Sequence, residues 1–144
     1  MRLGKIMLAV TALVWIGYGA WLFVDPKGLS YAGFGFPHWS VTVEVVAMYG
    51  AFEVALGGFA LLALLRPAEL MRPALLLWAL LYSALVLGRV YGILAWDGSF
   101  AMSFGGGHPE SYNAGALFFL ELPSAVLFWL ALRRSRADVA PSPA

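Results

Sequence analysis

The chain has 144 residues, 62% of them hydrophobic and 12% charged, with a mean hydropathy of +0.82. That length allows one domain, and a soluble one could not hide four long apolar runs, so lipid must solvate them. Cysteine is absent, which excludes disulfides, thiolate catalysis and cysteine metal sites; with a net charge of +1 and no basic block, nucleic acid is not an expected partner.

Span one reads from Ile6 to Val24, uncharged throughout, and stops at Asp25-Pro26, with Lys27-Gly28 continuing the turn. A secretory signal cut near Tyr18-Gly19-Ala20 is the competing reading. It is disfavoured because the apolar run continues through the bulky Trp21-Leu22-Phe23. The first loop, Gly33-Phe34-Gly35-Phe36-Pro37-His38-Trp39, is aromatic and glycine-rich and is expected to lie on the membrane.

Span two reads from Val43 to Leu65 and ends at Arg66-Pro67. Residues 66–72 make a tight link, so spans two and three are expected to be antiparallel neighbours. Span three starts at Pro73, a favoured first helical residue, and runs to Ala95. The third loop, Asp97 to Tyr112, contains Gly105-Gly106-Gly107; without the Lys-Ser/Thr of a phosphate loop it reads as flexible linker. Span four covers Asn113 to Leu132 and is closed by Arg133 and Arg134. The membrane domain ends at Arg136, and a disordered tail is expected from Ala137. Each span has roughly the 20 residues that cross ~30 Å of hydrocarbon.

The expected fold is therefore all-α, a four-span antiparallel bundle. Arg2 and Lys5, Arg66 and Arg72, and Arg133, Arg134 and Arg136 all fall on one side of it, against Lys27 alone on the other. Basic residues favour the cytoplasm, so both termini are expected inside, in a bacterial inner membrane. Trp39 and Trp96 at the outer ends and Trp129 near the inner end are candidate interface anchors.

Three charged side chains interrupt these apolar runs: Glu53, Arg89 and Glu121. Charge in hydrocarbon is costly and normally pairs, faces a cavity or does a job. Helical rise puts Glu53 about 15 Å, Glu121 about 12 Å and Arg89 about 9 Å from the outer ends of their spans. Arg89 is thus expected to bridge one or both glutamates, either as a lock that fixes helix orientation or as part of a site. The surplus carboxylate would suit a proton relay, recognition of a cationic head group, or a neutral acid donating to a backbone carbonyl. Pro123 frees such a carbonyl at Phe119 and predicts a kink in span four.

Around this set, Tyr49 stands one turn before Glu53 and is expected to hydrogen-bond toward it, and Tyr82 lies on nearly the same face as Arg89. Thr11, Trp15 and Tyr18 form a stripe on span one that either packs the bundle or lines an amphipathic pocket. Glu44 falls in the first turn of span two, where it complements the helix N-terminus and points away from Glu53. Gly50, Gly57 and Gly58, with the Gly88–Gly92 pair, mark expected close helix contacts within the bundle or across a homodimer.

Glu44, the stretch Ala47-Met48-Tyr49-Gly50-Ala51-Phe52-Glu53, Leu56-Gly57-Gly58-Phe59, the Arg66-Pro67 to Arg72-Pro73 link and Leu87-Gly88-Arg89 together resemble a bacterial membrane family. It is the family catalogued as domain of unknown function 4345, and the resemblance covers span one to Arg134. It implies four membrane helices with short links and no assigned chemistry. Family patterns often carry Arg two residues after the span-two glutamate; here that position is Val46, so an ion pair made there is missing.

His38 and His108, with Asp97 and Glu110 nearby, lack helical metal-ligand spacing, and no metal or cofactor is implied. Nor can a Ser–His–Asp arrangement or nucleophile elbow be drawn. Three classes of function compete. One is a small binding or carrier protein for a lipid-like or amphipathic molecule; another is an accessory subunit or scaffold that docks a membrane partner. An enzyme acting on a lipid or isoprenoid through Glu53 or Glu121 ranks below these, because only carboxylates and Arg are available to it.

Overall fold

Backbone groups inside hydrocarbon must satisfy one another within a segment, and helices meet that demand. The computed structural model describes residues 2–95 and 114–137, with side chains through Ser135, and among the described residues there is no strand. Helix α1 is Arg2–Val24. A short 3-10 helix, Pro26–Ala32, follows and is closed by Gly33, whose φ of 86° is left-handed and so favours glycine. Helix α2 is Trp39–Leu65, one rod whose middle, Val46–Ala51, is π-helical. Helix α3 is Pro67–Ala95, and α4 is the π-helical segment Ala116–Glu121 continued by Leu122–Ala137.

Several boundaries differ from those read off the sequence. Helix α1 starts at Arg2 rather than Ile6, α2 at Trp39 rather than Val43, and α4 continues past Leu132 to Ala137. The third connection, with Trp96, Asp97, His108, Glu110 and Asn113, lies outside the described residues, as does the tail beyond Ala137.

The link between spans two and three shows the largest difference. Helix α3 begins at Pro67, so Pro73 lies inside it, and the expected 66–72 loop shrinks to Arg66. Both prolines suit a first helical position. Pro67 takes it because the Arg66 carbonyl accepts the amides of Glu69 (3.3 Å) and Leu70 (3.0 Å), closing a turn ahead of Pro73. Glu69 adds a favourable negative charge to that first turn, and Met71 reaches the core.

The two π-helical segments have different settings. In α4, Pro123 has no N–H and its ring would crowd the carbonyl four residues back. Opening the preceding turn relieves that crowding: the Leu122 amide bonds to the Leu117 carbonyl, five residues away. In α2 the Phe52 amide likewise bonds to Ala47, with no proline nearby.

Lipid tails are as apolar as leucine, so helices in a membrane associate mainly through close packing of small residues. The interior fits that expectation, with Ala60, Ala63, Ala74 and Ala79 fully buried. Helices α1 and α2 come closest at glycines. A Cβ on Gly19 would stand 2.7 Å from the Gly50 carbonyl oxygen, and one on Gly57 would stand 2.9 Å from the Ile16 amide. Gly50 itself faces the Phe23 ring. By contrast, Cβ atoms on Gly58, Gly88 and Gly92 would meet nothing within 4 Å among the described residues, so these three make no close helix contact there.

Helices α3 and α4 meet through aromatic rings, with Phe128 stacked on both Trp78 and Tyr82. Between 28% and 33% of each span's apolar window is buried inside the bundle, so most of the apolar surface faces outward. Leu13, Leu65, Leu87 and Leu94 are among the exposed side chains.

Candidate binding cleft

The candidate site lies at one end of the bundle. Helices α1 and α3 finish there, α2 and α4 start there, and the 3-10 segment folds over it. Leu29 anchors that segment in a small cluster with Leu22 and Val45. Tyr31 follows on its outer side, its hydroxyl 2.7 Å from that of Tyr18 and its ring stacked on Trp21. The first loop is therefore a wall of the bundle at this end. Beneath it lies a cleft of about 670 Å³. Ligand pockets for small molecules commonly fall between ~300 and 1,000 Å³.

Each helix contributes to the lining. Helix α1 presents Trp15 and Tyr18, α2 presents Tyr49 and Glu53, α3 presents Tyr82 and Arg89, and α4 presents Glu121. Leu29, Phe34, Leu85 and Leu120 complete an apolar and aromatic surround. All three charged residues that break the apolar runs thus line one cavity.

Arg89 Nε donates to Glu121 Oε1 at 2.6 Å. The Glu121 side chain is 3% exposed and that of Arg89 23%, so the carboxylate is the more deeply held partner. Of the two glutamates, only Glu121 has this bridge to Arg89 among the described residues. Glu53 is 9% exposed, and its buried Oε2 meets no hydrogen-bond partner among the described residues; the same is true of Glu121 Oε2. Buried polar atoms are normally satisfied, so two orphaned acceptors in one cleft are unusual and point to something that would complete them.

Tyr82 is a hub. Its hydroxyl accepts from Trp15 Nε1 at 3.0 Å and its ring stacks on Phe128, which joins α1, α3 and α4. The Thr11–Trp15–Tyr18 stripe therefore serves both roles: Thr11 is buried in the packing, while Trp15 and Tyr18 line the cleft. The Trp15–Tyr82 link carries no signal in the sequence. A shared helical face is visible within one span but not between spans.

Other expected positions fall elsewhere. Tyr49 lines the cleft, but its ring packs edge-on against Phe34 rather than its hydroxyl bonding Glu53; it sits in the π-helical turn, where i, i+4 geometry does not hold. Glu44 is exposed and away from the cleft. Because α2 starts at Trp39, Glu44 is not in its first turn. His38 takes the end position, its Nδ1 accepting the Ser40 amide at 3.3 Å. Trp39 is exposed with its ring against His38, and Trp129 donates to Ser83 Oγ at 3.0 Å between α3 and α4. Trp96 lies outside the described residues.

Four long apolar helices with mostly outward-facing apolar surface define a multi-pass helical membrane protein. Residues 3–132 match the family described as Domain of unknown function (DUF4345), and the chain belongs to that family. No curated protein and no solved structure matches it.

Proposed function

We propose that the protein binds or carries a lipid-like or amphipathic molecule in this cleft, in the outer half of a bundle set in a bacterial inner membrane. The observation that carries the reading is a cavity of about 670 Å³ whose aromatic walls enclose an ion pair and a second buried carboxyl. Apolar walls would hold a tail, and a few convergent polar groups would orient a head. The charge distribution supports placing the cleft outward. Arg2, Lys5, Arg66, Arg72, Arg133 and Arg134 gather at the opposite end, which would put both termini in the cytoplasm.

Native mass spectrometry of the protein released from its own membranes, beside Glu121→Gln, tests this. The expected result is a small molecule that accompanies the parent protein and is lost from the variant. A ligand-free mass for both would overturn the reading.

A second reading, an accessory subunit or homodimer, is favoured by the glycine face of α3, where no described residue packs on Gly88 or Gly92. Gly88→Leu would then release a partner in cross-linking, whereas unchanged cross-links would remove this reading.

A further inference from the structure

Among the described lining residues of the cleft, carboxyl groups outnumber cations. Glu53, Arg89 and Glu121 are the charged side chains among its described lining residues, and the Arg89 guanidinium is matched by Glu121 at 2.6 Å. Glu53 is left over, more than nine-tenths buried, with an orphaned Oε2. The sequence of the third connection, residues 96–113, holds no Lys or Arg. Glu121 adds a second orphaned acceptor, its Oε2. The buried groups lacking partners in the cleft are therefore carboxyl oxygens, which when ionised accept only, and a cationic donor would satisfy both charge and hydrogen bonding.

The walls say which kind of cation. A hard metal ion takes six to eight oxygen ligands, and among the described residues no group of three or more His, Asp or Glu side chains gathers to hold one. Trp15, Tyr18, Tyr49 and Tyr82 line the cleft instead. Aromatic faces attract a diffuse organic cation and the alkyl carbons beside it.

Resting on the proposed binding role, we infer that the cleft selects the ammonium group of an amphiphilic amine, seated between the free oxygens of Glu53 and Glu121 with its apolar tail along the aromatic walls. The same chemistry occurs in a free long-chain amine and in an ethanolamine lipid head group.

The test is native mass spectrometry of the full chain in neutral maltoside micelles, titrated separately with dodecylammonium, dodecanol and lysophosphatidylethanolamine. Dodecylammonium is expected to bind about tenfold or more tightly than dodecanol, a difference of about 1.4 kcal/mol or more. Glu53→Gln should abolish that preference, and Glu53→Asp, which keeps the charge, should retain it. Lysophosphatidylethanolamine bound with the same dependence on Glu53 would identify a lipid head group as the source; binding of the simple amine alone would identify a free amphiphile. Equal binding of dodecanol and dodecylammonium, unaffected by Glu53→Gln, would overturn the selection for an amine and leave the binding cleft standing. No binding of any probe would overturn both. If Glu53→Gln fails to fold, the comparison of amine with alcohol in the parent protein and in Glu53→Asp decides the matter alone.

Discussion

Arg89 on α3 and Glu121 at the end of the π-helical turn of α4 form an ion pair at 2.6 Å, joining the two helices beside the cleft. The carboxylate is the buried member, so removing the arginine leaves an uncompensated charge in a low-dielectric site, whereas removing both groups does not.

Arg89→Leu is accordingly expected to destabilise the bundle by about 3–5 kcal/mol, and Arg89→Leu combined with Glu121→Gln by less. Reversible unfolding in mixed micelles measures both. A double variant no more stable than the single one would show that the pair is not coupled.

Gly19 and Gly50 hold α1 against α2. An added Cβ on Gly19 would meet backbone, 2.7 Å from the Gly50 carbonyl oxygen and 2.9 Å from the Val54 amide, and backbone cannot step aside as a flexible side chain can. Gly19→Ala should lower stability by about 1–3 kcal/mol. Gly58→Ala, with no described residue within 4 Å, should stay within about 0.5 kcal/mol of the parent. Thermal unfolding of the two variants side by side gives the comparison.

Tyr82→Phe removes the acceptor of Trp15 Nε1 while keeping the ring that stacks on Phe128. A loss of about 0.6–2 kcal/mol is expected, the range for hydrogen bonds between membrane helices. An accompanying change in tryptophan emission would report Trp15 directly, and an unchanged spectrum with unchanged stability would argue against the bond.

Pro123→Ala restores a backbone donor where the missing one favours the π turn. The turn is expected to close to α register and change the bearing of Glu121 toward Arg89. The energetic coupling of that pair, taken from a double-mutant cycle in the Pro123→Ala background, should then fall; an undiminished coupling would mean that the proline does not set the geometry.

The spans and the charged residues within them were legible because hydrocarbon makes both conspicuous. A run of apolar residues near the length of a bilayer rarely forms anything but a membrane helix, and Glu53, Arg89 and Glu121 stand out against it. Local punctuation was less legible. Pro67 and Pro73 carry the same signal for a helix start, and only the amides bonded to Arg66 decide between them. The π turn in α2 has no compositional mark, and it turned Tyr49 toward Phe34 rather than Glu53. Pro123 did point to a disturbed helix, and the disturbance takes the form of a widened turn. Glycine was legible as a residue type but not by position: Gly19, absent from the expected contacts, packs tightly, while Gly88 and Gly92, expected among them, meet no described residue within the bundle.

The alanine-rich interior has a consequence for how this chain can vary. In a water-soluble protein, interior positions are held to being greasy and exterior ones to being polar. Here both sides are greasy, so Ala60, Ala63, Ala74 and Ala79 are held to being small, while Leu13, Leu87 and Leu94 can exchange freely among bulky aliphatic residues. Size rather than polarity separates inside from outside, and tolerance to enlargement, measured position by position, would trace the bundle's inner surface.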